Sequence, residues 1–286
     1  MKNPILDELI KLKLISKSNL MTLSNKTRDK KIKVIKDLKT KIIFSEKFIR
    51  DKKYYENDRK MNEKDLIKYI SQCKNDDKRR YQQFKNVLKQ KKILDFGCEF
   101  GGFLKNITNS KKLFGLEVNK NCIKYIKKNI KKINVIDDLE KNRTKFDVIT
   151  MFHVLEHIPY QTETLKVLKS KLNNNGKIII EVPHAEDFLI LQEELKEFKN
   201  FTFWSEHLIL HTYKSLKSIL LKSGFKNINI QYYQRYNFSN HLGWFLKRKP
   251  GGHNFYKEIV SDKLNLSYCE NLKKLGQTDT LIAIAE

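Results

Sequence analysis

Between Lys91 and Val182 the apolar residues fall into short runs separated by stretches of helical spacing. KKILDFG, KLFGLEV, INVID, FDVITMFHV and GKIIIEV read as buried strands, and NKNCIKYIKKNIKK and TETLKVLKSKLNNN as helices between them. Strands covered on both faces lose the alternation of apolar and polar residues. Regular strand–helix alternation is the signature of a parallel sheet flanked by helices on both faces. Beyond Pro183, TYKSLKSILLKSGF predicts a helix stopped at Gly224. NINIQYY and TLIAIAE predict two last strands at an antiparallel end of the sheet, and Asn173 to Asn175 reads as a simple turn.

The first part of the chain follows a different pattern. IKVIKDLKTKIIF, from Ile32 to Phe44, places two β-prone runs around a polar stretch and predicts a hairpin. Asn62 to Lys89 is lysine-rich, with Leu66, Ile67 and Ile70 at helical spacing, and predicts one or two helices leading into the core. The expected organisation is therefore an N-terminal hairpin and helical extension over residues 1–89, on the substrate side. An α/β domain over 90–286 follows.

Composition narrows the class. With 40% hydrophobic and 11% aromatic residues, the 286-residue chain can bury a proper core, so disorder is excluded as the main state. Cys73, Cys98, Cys122 and Cys269 form no CxxC pair, which argues against a disulfide framework and a cysteine zinc site; they read as reduced thiols. MKNPILDELIKLKLI carries acids within its apolar stretch and lacks a cleavage site of small residues, so it does not read as a signal peptide. No window approaches the ~20 apolar residues of a membrane span. A cytoplasmic location is expected.

Charge points less clearly. The net charge is +25, and residues 1–92 hold 28 Lys/Arg against 12 Asp/Glu. Such an excess attracts anions. Lysine greatly outnumbers arginine, however, and Asn and Ile are abundant too, as an AT-rich genome would produce. Arginine is the better fork for phosphates and bases. Nucleic acid is accordingly not the expected partner.

The strongest chemical signal is ILDFGCEFGGFL, Ile93 to Leu104. An acid at a strand end, then a glycine turn into a helix, lets backbone N–H groups and a helix N-terminus approach a ligand closely. A second acid, Glu117, ends KLFGLEV 22 residues beyond Asp95. An acid about 20 residues on can accept the hydroxyls of an adenosine ribose.

With both acids in place, the stretch resembles the class I S-adenosylmethionine-dependent methyltransferases. Asp95-Phe96-Gly97-Cys98-Glu99-Phe100-Gly101 is similar to their first motif, and Glu117 to their ribose-binding acid. Asp138 and Leu139 stand where the family places adenine contacts. Phe152 and His153 stand where its fourth strand approaches the cofactor. The resemblance implies a Rossmann-like methyltransferase sheet with S-adenosylmethionine bound by Asp95, Gly97, Glu99, Gly101, Glu117, Asp138, Leu139, Phe152 and His153. S-adenosylhomocysteine would be the product. Glu99 replaces the family's usual middle glycine, and its carboxylate either obstructs the ligand or meets its amino group.

Methyl transfer to a hydroxyl needs an aligned acceptor and a group to take its proton. Histidine suits that task. His157 follows the fourth strand, and His207 lies in WSEHLILH beside Glu206; the resemblance implies His207 and His157 as catalytic. His207 and His211 are four apart and on a helix would share a face. A third metal ligand is missing from that pair, so no metal centre is expected.

QYYQRYNFSNHLGWFLKRKPGGH mixes aromatic and basic residues, a composition that stacks sugars or bases and pairs phosphates. Arg235, Tyr236 and His241 are its candidate substrate contacts, together with Glu206 and Arg28. Lys249 to His253 reads as a glycine loop, a lid or an anion contact. The Glu206-His207 pattern is similar to a subgroup acting on sugars and small metabolites. That implies O-methylation of a nucleotide-activated sugar for a bacterial surface polysaccharide. The alternatives are an RNA methyltransferase and a noncatalytic binding protein on the same fold.

Overall fold

A computed structural model of the chain describes residues 3–49, 52–56, 61–256 and 258–286. In chain order the described elements begin with α1 (Pro4–Lys11), β1 (Leu20–Ser24), β2 (Val34–Asp37), β3 (Ile43–Ser45), α2 (Lys52–Tyr55) and α3 (Glu63–Leu88). Next come β4 (Lys92–Phe96), α4 (Gly102–Asn106), β5 (Lys112–Leu116), α5 (Lys120–Asn129), β6 (Ile133–Ile136), β7 (Phe146–Phe152) and α6 (Gln161–Ser170). The remainder are β8 (Leu172–Pro183), α7 (Phe188–Leu191), α8 (Lys196–Thr202), β9 (Ile209–Leu210), α9 (Tyr213–Lys222), β10 (Asn229–Tyr233), α10 (Phe238–Lys247), α11 (Asp262–Leu275) and β11 (Thr280–Ala285).

Local chemistry sets many of these boundaries. Asn62 and Asn119 cap α3 and α5 by accepting backbone N–H groups of the first turn. Thr212 and Ser215 form a reciprocal capping box on α9, which ends before Gly224 at φ +88°.

One sheet has seven strands in the order β10-β11-β8-β7-β4-β5-β6. β4 pairs in parallel with both β5 and β7, and β5 with β6. The chain enters at β4, winds outward to β6 and returns to β7 on the other side of β4. A topological switch point therefore lies beside β4, where open parallel sheets bind ligands at their carboxyl ends.

The chain divides into two compact units. One, residues 50–154, 163–180 and 284–286, holds α3 and the β4 to β7 strands, around core residues such as Ile93, Leu94, Ile126, Ile149 and Ile179. The other, residues 1–49, 155–162 and 181–283, includes a four-stranded sheet in the order β1-β2-β3-β9. The predicted hairpin is there as β2 and β3, paired antiparallel, with the Asp37 carboxylate accepting the turn N–H groups of Lys39 and Thr40. Its apolar faces feed two clusters. Val34 and Ile43 pack with Phe198 and Trp244, while Ile42 and Phe44 pack with Ile5, Leu9 and Ile209. The expected 1–89 extension is thus shared out: residues 1–49 belong to one unit and α3 to the other.

Three local expectations are corrected. Asn173 to Asn175 is not a simple turn but lies within β8, where Asn173 Nδ2 donates to Asp147 Oδ1 and Asn175 kinks the strand at φ +60°. The preceding helix accordingly stops at Ser170. His207 and His211 do not share a helical face, because residues 209–210 are a strand and His211 bridges to His184 on extended chain. Nor is Lys249–His253 an open lid. A Cβ on Gly252 would lie 2.6 Å from the Asn240 carbonyl oxygen, so the loop is packed onto α10 by close backbone approach.

Candidate donor and acceptor sites

The donor side is built at the carboxyl ends of β4 and β5. Asp95 stands level with Gly115 of β5, and Glu117 follows two residues later. The Thr150 hydroxyl donates to Asp95 Oδ1 at 2.7 Å. Glu117 Oε1 accepts the N–H groups of Val118 and Asn119, and Oε2 accepts that of Glu99 at 2.9 Å. Three of the carboxylate's roughly four acceptor positions are therefore filled, which fixes its plane and leaves capacity for one further donor. The turn between the acids is left-handed at Gly97 (φ +80°), Glu99 (φ +49°) and Gly101 (φ +73°). A Cβ on Gly97 would come within 2.5 Å of Val154 Cγ2, so here glycine answers to the protein's own packing as well as to its dihedral. Glu99 accepts that backbone conformation without glycine, and the Tyr69 hydroxyl donates to its carboxylate.

α3 supplies residues that the sequence reading missed. Tyr69, Asp77 and Arg80 share the stripe that leads to buried Phe84 and Leu88. Arg80 pairs with Asp77 at 3.7 Å, and its guanidinium lies 4.9 Å from the Phe152 ring centroid. Phe152 packs edge-on against Phe103 and stacks with Phe84. The continuous helical spacing of these polar positions with Phe84 and Leu88 was the available signal.

Electrostatics marks the same place. Burial pushes Asp95 up to about 7, opposed by the Thr150 hydrogen bond and by Arg80. Burial also raises Asp77 to about 6, and raises Glu117. Four carboxylates, Asp77, Asp95, Glu99 and Glu117, thus face one another around a single guanidinium. A ligand carrying an ammonium, a sulfonium, a hydroxylated ribose and one carboxylate satisfies that donor set. S-adenosylmethionine fits these residues. Asp138 behaves differently: exposed, it accepts the N–H groups of Glu140 and Lys141, and the Lys141 N–H foremost holds its pKa down. Leu139 is buried, and His153 is half-buried at φ +53°.

A second cluster lies in the other unit. Glu156 is fully buried, and Glu156, His157 and His207 each offer a ligand atom within 4.8 Å of the others. The His157 and His207 rings meet edge-on with centroids 5.0 Å apart. His157 Nδ1 lies 3.0 Å from the Glu206 carbonyl oxygen. A carbonyl can only accept, so Nδ1 carries the proton and the lone pair of the neutral ring belongs to Nε2.

The N-terminal region braces the segment carrying Glu206 and His207. β9 pairs with β3, and Leu208 N donates to the Glu156 carbonyl at 2.8 Å. Asp29 accepts from both the backbone N–H and the hydroxyl of Ser205. The Arg28 guanidinium lies over Phe201 at 4.1 Å and Trp204 at 4.4 Å. Arg28 is thus an aromatic-stacked brace in this structure, and Asp29 is engaged with Ser205.

The aromatic-basic tail is less open than its composition implies. His241 is corrected from a substrate contact to a core residue: it is 1% exposed, and burial lowers it to about 4. Gln234 Nε2 donates to its Nε2, so neutral His241 donates from Nδ1 to the Tyr268 oxygen at 2.7 Å. Arg235 and Tyr236 donate their backbone N–H groups to Asp279. The Arg235 guanidinium lies 5.5 Å from the Tyr236 ring centroid, and Tyr236 is exposed. His211 is likewise structural, fully buried and lowered to about 4 by burial, with Nδ1 3.1 Å from the Ser215 hydroxyl.

The methyltransferase-domain family matches residues 59–230, well over half of the chain. The chain belongs to that family. It is a class I S-adenosylmethionine-dependent methyltransferase, an enzyme rather than a binding-only relative. A solved S-adenosylmethionine-dependent methyltransferase from Thermotoga maritima shares the fold: TM-score 0.50 at 16% identity, covering 77% of this chain and 94% of that one. The tRNA U34 carboxymethyltransferase of Aliarcobacter butzleri is 30% identical over 156 residues, 50% of this chain and 50% of that protein. The same enzyme of Campylobacter jejuni (strain 81-176) is 27% identical over 165 residues, 51% of this chain and 53% of that protein. The chain spans about half the length of the curated relatives it matches. No helix among the described residues is long and apolar enough to cross a membrane.

Proposed function

We propose that this methyltransferase acts on a hydroxyl of a small acceptor, a nucleotide-linked sugar used for a bacterial surface polysaccharide. The observation that carries the hydroxyl reading is the fixed tautomer of His157, which presents the Nε2 lone pair beside His207. S-adenosylmethionine supplies a methyl group on a sulfonium, already a good leaving group. The protein's task is to align the acceptor oxygen and relieve it of its proton. Asp95, Glu117 and Arg80 hold the donor; His157 and His207 serve the acceptor hydroxyl, with Glu206 orienting His157 through its carbonyl. Arg235 and exposed Tyr236 offer a cation and a ring face suited to a nucleotide's phosphate and base.

RNA is the second reading, favoured by the two tRNA-modifying relatives. Incubation with S-adenosylmethionine, with pooled nucleotide sugars in one reaction and bulk tRNA in another, separates the two by which pool gains one methylene in mass. Methylation of tRNA alone overturns the sugar assignment. His207→Ala is expected to lower turnover at least tenfold while leaving S-adenosylhomocysteine affinity unchanged; unaltered turnover removes His207 from the acceptor machinery.

A further inference from the structure

We infer that Glu156, His157 and His207 bind a divalent first-row transition-metal cation. The inference comes from the ligand set itself; only the cation's use, polarising an acceptor oxygen, rests on the hydroxyl reading above. Two imidazoles and one carboxylate form a recognised set for catalytic zinc and related ions, which keep a further position open for water or substrate. Their ligand atoms already lie within 4.8 Å of one another. Bonds of roughly 2.0–2.2 Å to a tetrahedral ion call for separations of about 3.3 Å, a contraction within reach of side-chain rotation.

Three further features match a metal site. Metal-bound histidines usually donate their other ring N–H to a carbonyl or carboxylate, and the His157 Nδ1–H donates to the Glu206 carbonyl. Glu156 is fully buried, where a carboxylate is costly without a compensating positive charge. Both histidines are half-buried, so one side of the cluster stays accessible to an incoming ligand. The third ligand also stands on a braced segment, through the β3–β9 pairing, the Asp29–Ser205 bonds and the Arg28 stack. A site held in advance loses little freedom on binding.

The sequence alone points away from this arrangement, because it pairs His207 with His211. In the structure His211 bonds Ser215 instead, and the partners of His207 come from the turn after β7.

The test uses untagged full-length protein, stripped with a chelator and titrated with Co2+ by visible absorption and with Zn2+ by calorimetry. One equivalent per chain is expected. His157→Ala, His207→Ala and Glu156→Gln should each weaken binding at least tenfold. S-adenosylhomocysteine affinity, which reports on the fold and the donor site, should stay within about twofold. Absence of binding, or wild-type affinity in the folded His207→Ala variant, overturns the site. Full hydroxyl methylation by chelator-stripped enzyme would count against the cation while leaving the hydroxyl reading intact. Normal cobalt binding without any hydroxyl acceptor does the reverse.

Discussion

Asp95 sits at the edge of ionisation, and this gives the donor site a pH signature. Burial raises it to about 7, so below that pH the carboxyl is protonated before the ligand arrives. A cationic donor is attracted to the carboxylate, so binding below pH 7 must expel that proton. Affinity for S-adenosylmethionine should therefore climb toward tenfold per pH unit between about 5 and 7, then level off. Calorimetry in buffers of different ionisation enthalpy should register the released proton at pH 6. Asp95→Asn should flatten this profile and weaken binding at least tenfold; a wild-type profile in that variant would place the donor elsewhere. Asp95 and Glu117 were legible in the sequence because each ends an apolar strand, where an acid stands out. Asp77 and Arg80 were not, because on a lysine-rich helix a functional ion pair resembles ordinary surface charge. Only the packing of α3 distinguishes them.

At the scale of elements, the sheet was readable because buried parallel strands are continuous apolar runs. The hairpin was readable because β2 and β3 flank a polar turn. Its role was not, since β9 is only two residues long and β3 reaches it across more than 160 positions. No local pattern encodes that pairing. The same distance hides what Arg28 does. Stacked on Phe201 and Trp204 in the segment leading to His207, it acts on the acceptor side through position rather than contact. Arg28→Ala should lower turnover several-fold, leave S-adenosylhomocysteine affinity unchanged and be partly rescued by Arg28→Lys, which keeps a cation over the rings. If Arg28 instead bound a substrate phosphate, the variant would raise the acceptor KM with little change in kcat.

The whole molecule carries ionisable groups that oppose one another across the pH range. Burial raises Asp95 to about 7 and Asp187 to about 8, so the folded chain holds protons that the unfolded chain releases near pH 4. Their contribution to stability falls as pH rises through those values. Burial lowers His211 and His241 to about 4, so the unfolded chain takes up protons first and stability falls as pH drops below about 6.5. The two slopes nearly cancel near pH 5 to 6, and above that the acids dominate. Ligand-free protein should thus lose on the order of 1–2 kcal/mol between pH 6 and 8.5, visible as a falling melting temperature that Asp187→Asn reduces. A flat profile would mean these acids are ionised in the fold. The net charge of +25 works at longer range and bears on the acceptor. Neutralising Z phosphates makes log affinity fall with log salt at a slope near −0.9Z, so an RNA seated on six or more lysines loses about a thousandfold between 50 and 200 mM salt. A nucleotide-linked sugar brings only its own few charges, and screening weakens it by less than about fivefold over the same range. The acceptor KM across that salt series therefore tests whether these lysines bind substrate. A nearly level series is expected, and a slope of −5 or steeper would identify a polyanion as the true acceptor.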